Sequence, residues 1–178
     1  LIKIITGIRR CGKSYLLFTL FHEYLVSQGV DENHIIEIAL DDRMNVSLRD
    51  PDVILHYIRE QIVDKELYYI LLDEVQLIPQ FEEVLNSLLH VRNADVYVTG
   101  SNSRFLSSDI ITEFRGRGDE IHLFPLSFSE FCEGYQGDKN KAWKEYYTFG
   151  GLPLILTLET EKKKVDYLGN LYKSVYLV

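Results

Sequence analysis

The sequence predicts an α/β fold, a three-layer sandwich around a parallel five-stranded sheet, followed by a small helical subdomain. Three observations predict it. Short apolar runs alternate with longer segments whose apolar residues recur at helical spacing. A glycine-rich turn joins the first run to the first helical segment. From Pro125 onward the strand-like runs stop and only helical patterns continue.

Leu1 to Thr6 is a short apolar run of the kind a buried parallel strand needs. Ser14 to Gln28 carries Leu16, Leu17, Leu20, Phe21, Tyr24 and Leu25 at helical spacing and stops at Gly29, a natural helix C-cap. Ile35 to Leu40 reads as the second strand. Asp50 and Pro51 then open a helix, the aspartate as cap and the proline in the first turn, with Ile54, Tyr57, Ile58 and Ile62 on one face. Leu67 to Leu72 forms the third strand and delivers Asp73 and Glu74 at its end. A helix through Phe81, Val84, Leu85, Leu88 and Leu89 leads to the fourth strand, Ala94 to Thr99. A further helix near Arg104 to Phe114 precedes a fifth strand, Glu120 to Phe124. Right-handed crossovers between such strands build a parallel sheet covered by helices. Ser127 to Tyr135, Lys141 to Phe149 and Pro153 to the end read as helices, so the expected division is a core of residues 1–125 and a helical subdomain of residues 126–178.

Composition narrows the function. With 178 residues, 46% hydrophobic and 26% charged, the chain can bury one good core. Lysine and arginine number 19 against 27 acids, a net charge of −8, which disfavours nucleic acid as a partner of this chain alone. No apolar stretch approaches the eighteen or so residues of a membrane span. Cys11 and Cys132 have no CxxC partners, which argues against a zinc site, and the expected compartment is a reducing cytoplasm. The start at Leu1 without methionine, and an amphipathic helix still running at Val178, suggest a piece of a longer protein whose effector domain follows.

The chemistry concentrates in Gly7-Ile8-Arg9-Arg10-Cys11-Gly12-Lys13-Ser14. This G-x-x-x-x-G-K-S pattern lies between a predicted strand and a predicted helix, the setting in which it binds phosphate. Glycines let the backbone curl so that its N–H groups point at phosphate oxygens, and the helix that follows turns its positive end to the same anion. Lys13 is expected to reach the β- and γ-phosphates, Ser14 to ligate Mg²⁺, and Tyr15 to flank the bound nucleotide. A thiol such as Cys11 at a helix N-terminus can ionise readily, but a merely tolerated small residue explains it better than a redox switch. Arg9 and Arg10 can touch phosphate or pair with Asp41 and Asp42.

Asp73 and Glu74 end an apolar strand at the sheet edge where open α/β folds bind ligands. Asp73 is placed to hold magnesium and Glu74 to orient and deprotonate the attacking water, which favours hydrolysis over binding alone. Gln76 can join the same water network or simply shape the turn. The fourth strand ends in a polar cluster where Ser101, then Asn102, are the choices for contacting the γ-phosphate. Arg115 and Arg117 offer a cation to that phosphate, from this chain or a neighbouring one, or pair locally with Asp119 or Glu120.

These residues, with Pro125 to Phe131 and Gly150-Gly151-Leu152-Pro153, resemble the AAA-type ATPases of the prokaryotic archaeal-ATPase-like group, related to nucleotide-switch ATPases. The resemblance implies the P-loop NTPase sandwich with sheet order 5-1-4-3-2, and makes the helices after Pro125 a lid. It also implies adenine as the base, with Pro153 beside it, a choice consistent with the absence of an Asn-Lys-x-Asp guanine reader. The expected function is magnesium-dependent ATP binding and hydrolysis that drives or gates an effector domain. The alternatives are an ATP/ADP switch with little turnover and the ATPase module of a nucleic-acid-acting protein. A homo-oligomer in which one subunit lends its arginine to the next is compatible with this reading.

Overall fold

A computed structural model describes residues 1–100, Phe114 and residues 116–176, with no side-chain description for 175 and 176. Ser101, Asn102, Arg115 and nearly all of the helix expected before Phe114 lie outside the described residues. The apolar runs form β1 (Ile2–Thr6), β2 (Ile35–Ala39), β3 (Tyr68–Asp73), β4 (Ala94–Thr99) and β5 (Gly118–His122). Every neighbouring pair is parallel, and the order across the sheet is β2-β3-β4-β1-β5, the expected 5-1-4-3-2.

Side chains alternate across the sheet, so each strand feeds two layers. Ile4, Ile38, Ile70, Leu72 and Val98 share one buried cluster with Ile54 and Ile58 of the helix Pro51–Gln61 and with Phe81, Val84 and Leu85 of the helix Phe81–Leu88. Ile5 and Leu71 point the other way and pack with Leu17. Leu17 belongs to the helix after the glycine-rich loop, which is α-helical at Lys13–Tyr15, widens to a π-helix over Leu16–Phe21 and returns to α over His22–Ser27. It ends ahead of Gly29, whose φ of 87° is the left-handed conformation expected of its cap. Asp50 accepts hydrogen bonds from the N–H groups of Asp52 and Val53, which explains why the helix at Pro51 begins there.

Strand β5 corrects the sequence reading, which placed it at Glu120 to Phe124. The ladder pairs Gly118 with Ile2 and His122 with Thr6, so the strand lies two residues earlier. Leu123 and Phe124 drew the expectation onward because they are apolar. As the outer strand, β5 carries Asp119, Glu120 and His122, charged and polar residues that suit an edge.

The residues divide into two compact units: 1–7 with 13–123, and 8–12 with 124–178. In the second unit, helices Phe128–Gly134, Lys139–Phe149 and Glu161–Tyr176 surround Phe131, Leu152, Ile155 and Tyr167. Ser127 and Glu130 form a reciprocal capping box at the first of these helices. The single helix expected from Pro153 onward is broken. A 3-10 turn, Pro153–Leu156, ends at Thr157, whose hydroxyl donates to the carbonyl of Leu154 at 2.9 Å. Thr160 then caps the last helix by accepting from the N–H of Lys163 at 3.3 Å.

Gly151 is a tight point of this unit. Its carbonyl accepts from the N–H of Leu126 at 2.8 Å. A Cβ there would lie 2.1 Å from the Leu126 carbonyl oxygen and 3.0 Å from the Tyr146 ring. Gly151→Ala is therefore expected to destabilise the protein by about 1–3 kcal/mol, the usual cost of overpacking against backbone. Chemical denaturation of the variant beside the wild type measures it.

Candidate functional site

The loop between β1 and its helix adopts the backbone its glycines permit. Gly7 and Gly12 take φ of 146° and 105°, and Arg10 is left-handed at 67°. Lys13 is buried and its ammonium donates to the carbonyl of Gly7 at 3.0 Å. A buried cation beside a loop carbonyl is an attractor for an anion. Ile8, Arg9, Arg10, Ser14 and Tyr15 are exposed, whereas Cys11 is buried. The guanidinium of Arg10 lies 5.2 Å from the centre of the Tyr167 ring, a cation–π contact. Pro153 also belongs with the loop, since a Cβ on Gly12 would lie 3.7 Å from its Cγ.

At the C-terminal ends of the strands, β4 lies between β1 and β3. Its last residue, Thr99, is fully buried and joins the acidic pair. The Thr99 hydroxyl donates to Asp73 Oδ1 and accepts the backbone N–H of Glu74 at 3.2 Å. Sequence reasoning passed over Thr99 in favour of Ser101 and Asn102. The available signal was a hydroxyl closing an otherwise apolar strand level with Asp73.

Burial pushes the Asp73 carboxyl above the usual carboxylate range. Hydrogen bonds from Thr99 and Ser14 pull it back, while the nearby charges of Glu74 and Asp41 push it further up. The protonated form is thus favoured in the folded protein. Its stabilising share is present at low pH and lost as pH rises through the folded pKa, so ionised Asp73 burdens the fold at neutral pH. Asp73→Asn is expected to raise ligand-free stability by about 0.5–2 kcal/mol, the range of single stabilising replacements at functional sites. Urea melts at neutral and mildly acidic pH check this, the gain shrinking on acidification.

Glu74 has φ 56° and ψ 45°, a left-handed conformation that costs a non-glycine residue about 1–2 kcal/mol. Its carboxylate accepts a hydrogen bond from the Gln76 side-chain amide. Lys13, Ser14, Asp73, Thr99 and Glu74 are therefore brought to one edge of the sheet.

Arg117 is not brought there. It immediately precedes β5, its carbonyl accepts the N–H of Ile2, and its guanidinium donates to Asn86 at 2.9 Å. That is the opposite edge of the sheet from Thr6, roughly 16 Å away for five strand residues. Action of Arg117 on this chain's own γ-phosphate does not fit that placement. A role on a neighbouring chain remains the form in which the expectation stands.

Magnesium bound with nucleotide needs few protein ligands, because phosphates and waters fill most positions. The Ser14 hydroxyl, hydrogen-bonded to the buried carboxyl of Asp73, is a donor set that fits it. Among the described residues no cluster of three or more His, Cys, Asp or Glu forms a separate metal site. Among them, too, no helix is long and apolar enough to cross a membrane.

A parallel sheet in this order, with a G-x-x-x-x-G-K-S loop after β1, defines an α/β nucleotide-binding protein of the P-loop class. The chain belongs to the AAA domain family, whose model matches residues 1–132. A protein of Haemophilus influenzae described as uncharacterized is 32% identical over 182 residues, spanning 99% of this chain and 45% of its own length. One from Methanocaldococcus jannaschii, also described as uncharacterized, is 27% identical over 191 residues, 98% of this chain and 41% of its own. The chain thus spans less than half the length of these curated relatives. Among solved structures, the Aeropyrum pernix ORC1 protein in complex with DNA is similar at a TM-score of 0.47 and 14% identity, over 74% of this chain and 41% of that one.

Proposed function

We propose that this chain hydrolyses ATP with magnesium. The convergence of Lys13, Ser14, Asp73 and Glu74 at the ends of β1 and β3 carries the reading. In this mechanism the loop N–H groups from Ile8 to Ser14 cradle the phosphates, and Lys13 exchanges the Gly7 carbonyl for phosphate oxygens. Ser14 and Asp73 would hold magnesium, which would supply positive charge to offset that of the phosphates. Thr99 keeps Asp73 and the Glu74 backbone in register. Glu74 orients a water and takes its proton as that oxygen bonds to the γ-phosphorus and the bond to ADP breaks.

Pro153 and Tyr15 flank the nucleotide in this reading, and residues 126–178 act as its lid. In this reading the cycle would drive or gate an effector, and the curated relatives are more than twice as long as the stretch they share with this chain. Arg117 would serve an adjoining subunit in an oligomer. Phosphate release from ATP by the purified protein, with magnesium and with excess chelator, tests the central claim. Turnover that needs magnesium supports it, and release unaffected by chelation rejects it. A rate per chain that rises with protein concentration supports the arginine in trans.

A further inference from the structure

The turn after β3 presents one more side chain to the acidic pair. Gln76 lies in the 3-10 turn Val75–Leu77, and the flanking Val75 and Ile78 are both buried in the main core. The turn is closed by hydrogen bonds from Leu77 N–H to the Glu74 carbonyl and from Ile78 N–H to the Val75 carbonyl, each 3.0 Å. Gln76 therefore has little freedom relative to Glu74. Its Nε2 donates to Glu74 Oε2, while its Oε1 is buried and has no hydrogen-bond partner among the described residues.

In a half-buried glutamine that serves only packing, the buried atoms of the amide find partners. Here the carbonyl goes unpaired while the nitrogen meets a carboxylate. The opposite amide orientation would set oxygen against oxygen, so the contact itself selects this one. Glu74 is already held by a left-handed backbone and by its N–H bond to Thr99. Both of those anchors act on the backbone, whereas the Gln76 amide holds the carboxylate itself.

We infer that Gln76 is a positioning residue for Glu74, fixing the carboxylate in the orientation from which it engages the attacking water. The inference rests on the role of Glu74 proposed above. Gln76 transfers no proton and forms no bond to substrate.

Phosphate release at varied magnesium-ATP concentration, under multiple and single turnover, tests it with Gln76→Leu, Gln76→Glu, Glu74→Gln and the double variant Gln76→Leu/Glu74→Gln. Gln76→Leu is expected to lower kcat about ten- to a hundredfold with KM changed less than about twofold. Gln76→Glu, which sets two carboxylates together, falls at least as far. Because Gln76 acts through Glu74, the double variant is no slower than Glu74→Gln. A Gln76→Leu protein as fast as wild type, with Glu74→Gln inactive, overturns the role of Gln76 alone. So does a double variant whose losses multiply, or a Gln76→Leu protein that no longer gains melting temperature with magnesium-ATP. A Glu74→Gln protein as fast as wild type, or a wild type that releases no phosphate, overturns the reading of Glu74 and this inference with it.

Discussion

Lys13→Ala is expected to remove most of the rise in melting temperature that the proposed mechanism predicts for the wild-type protein with magnesium-ATP. A ligand at a hundred times its dissociation constant stabilises by about 2.7 kcal/mol. For a domain of this size that is about 5–10 °C. Lys13 is buried and hydrogen-bonded to the Gly7 carbonyl, which in the proposed mechanism it exchanges for phosphate. Alanine removes the charge and leaves the backbone cradle in place. Residual binding then rests on N–H groups and the helix end, and turnover falls by about 10²–10³, as when one electrostatic donor to a transition state is lost. The ligand-free protein changes far less, because the variant no longer carries a buried charge that must be satisfied. Differential scanning fluorimetry of both proteins with and without nucleotide measures the difference. An undiminished shift in the variant would remove the loop from nucleotide binding.

Glu74→Gln is expected to separate binding from hydrolysis. The amide keeps the size and polarity of the side chain but cannot take a proton from water, so phosphate release falls by about 10²–10⁴, the usual share of general base catalysis. Asp73, Ser14 and Lys13 are untouched, so magnesium-ATP still stabilises the protein, and the nucleotide recovered with it is ATP rather than ADP. The left-handed backbone at residue 74 tolerates glutamine no worse than glutamate, which keeps folding out of the comparison. Equal phosphate release by the two proteins would sink the assignment of Glu74 as base.

The two carboxylates and the loop were legible because their chemistry is local: a strand, a turn with glycines at fixed offsets, and acids at a strand end. The sheet order came from family likeness, since apolar runs carry no record of which neighbour each strand takes. Strand β5 slipped by two residues because Leu123 and Phe124 continue the apolar signal past the ladder, which ends opposite Thr6. Thr99 was missed because its role depends on β4 lying between β1 and β3, a relation among segments far apart in the chain. Arg117 reads in sequence as a loop cation near the site, yet the parallel pairing of Gly118 with Ile2 puts it at the far edge. The break at Thr157 to Thr160 depends on which backbone groups two threonine hydroxyls choose, and apolar periodicity is silent on that.

Residues 8–12 of the phosphate loop belong to the helical unit, where Arg10 lies on Tyr167 and Gly12 beside Pro153. Thermodynamic linkage makes such a connection run both ways. Where nucleotide changes the free energy of the Arg10–Tyr167 contact, a ligand of the helix Glu161–Tyr176 that displaces Tyr167 changes nucleotide affinity by the same factor as nucleotide changes that ligand's own. Under that condition the aromatic ring at position 167 would carry events on the last helix to occupancy of the loop.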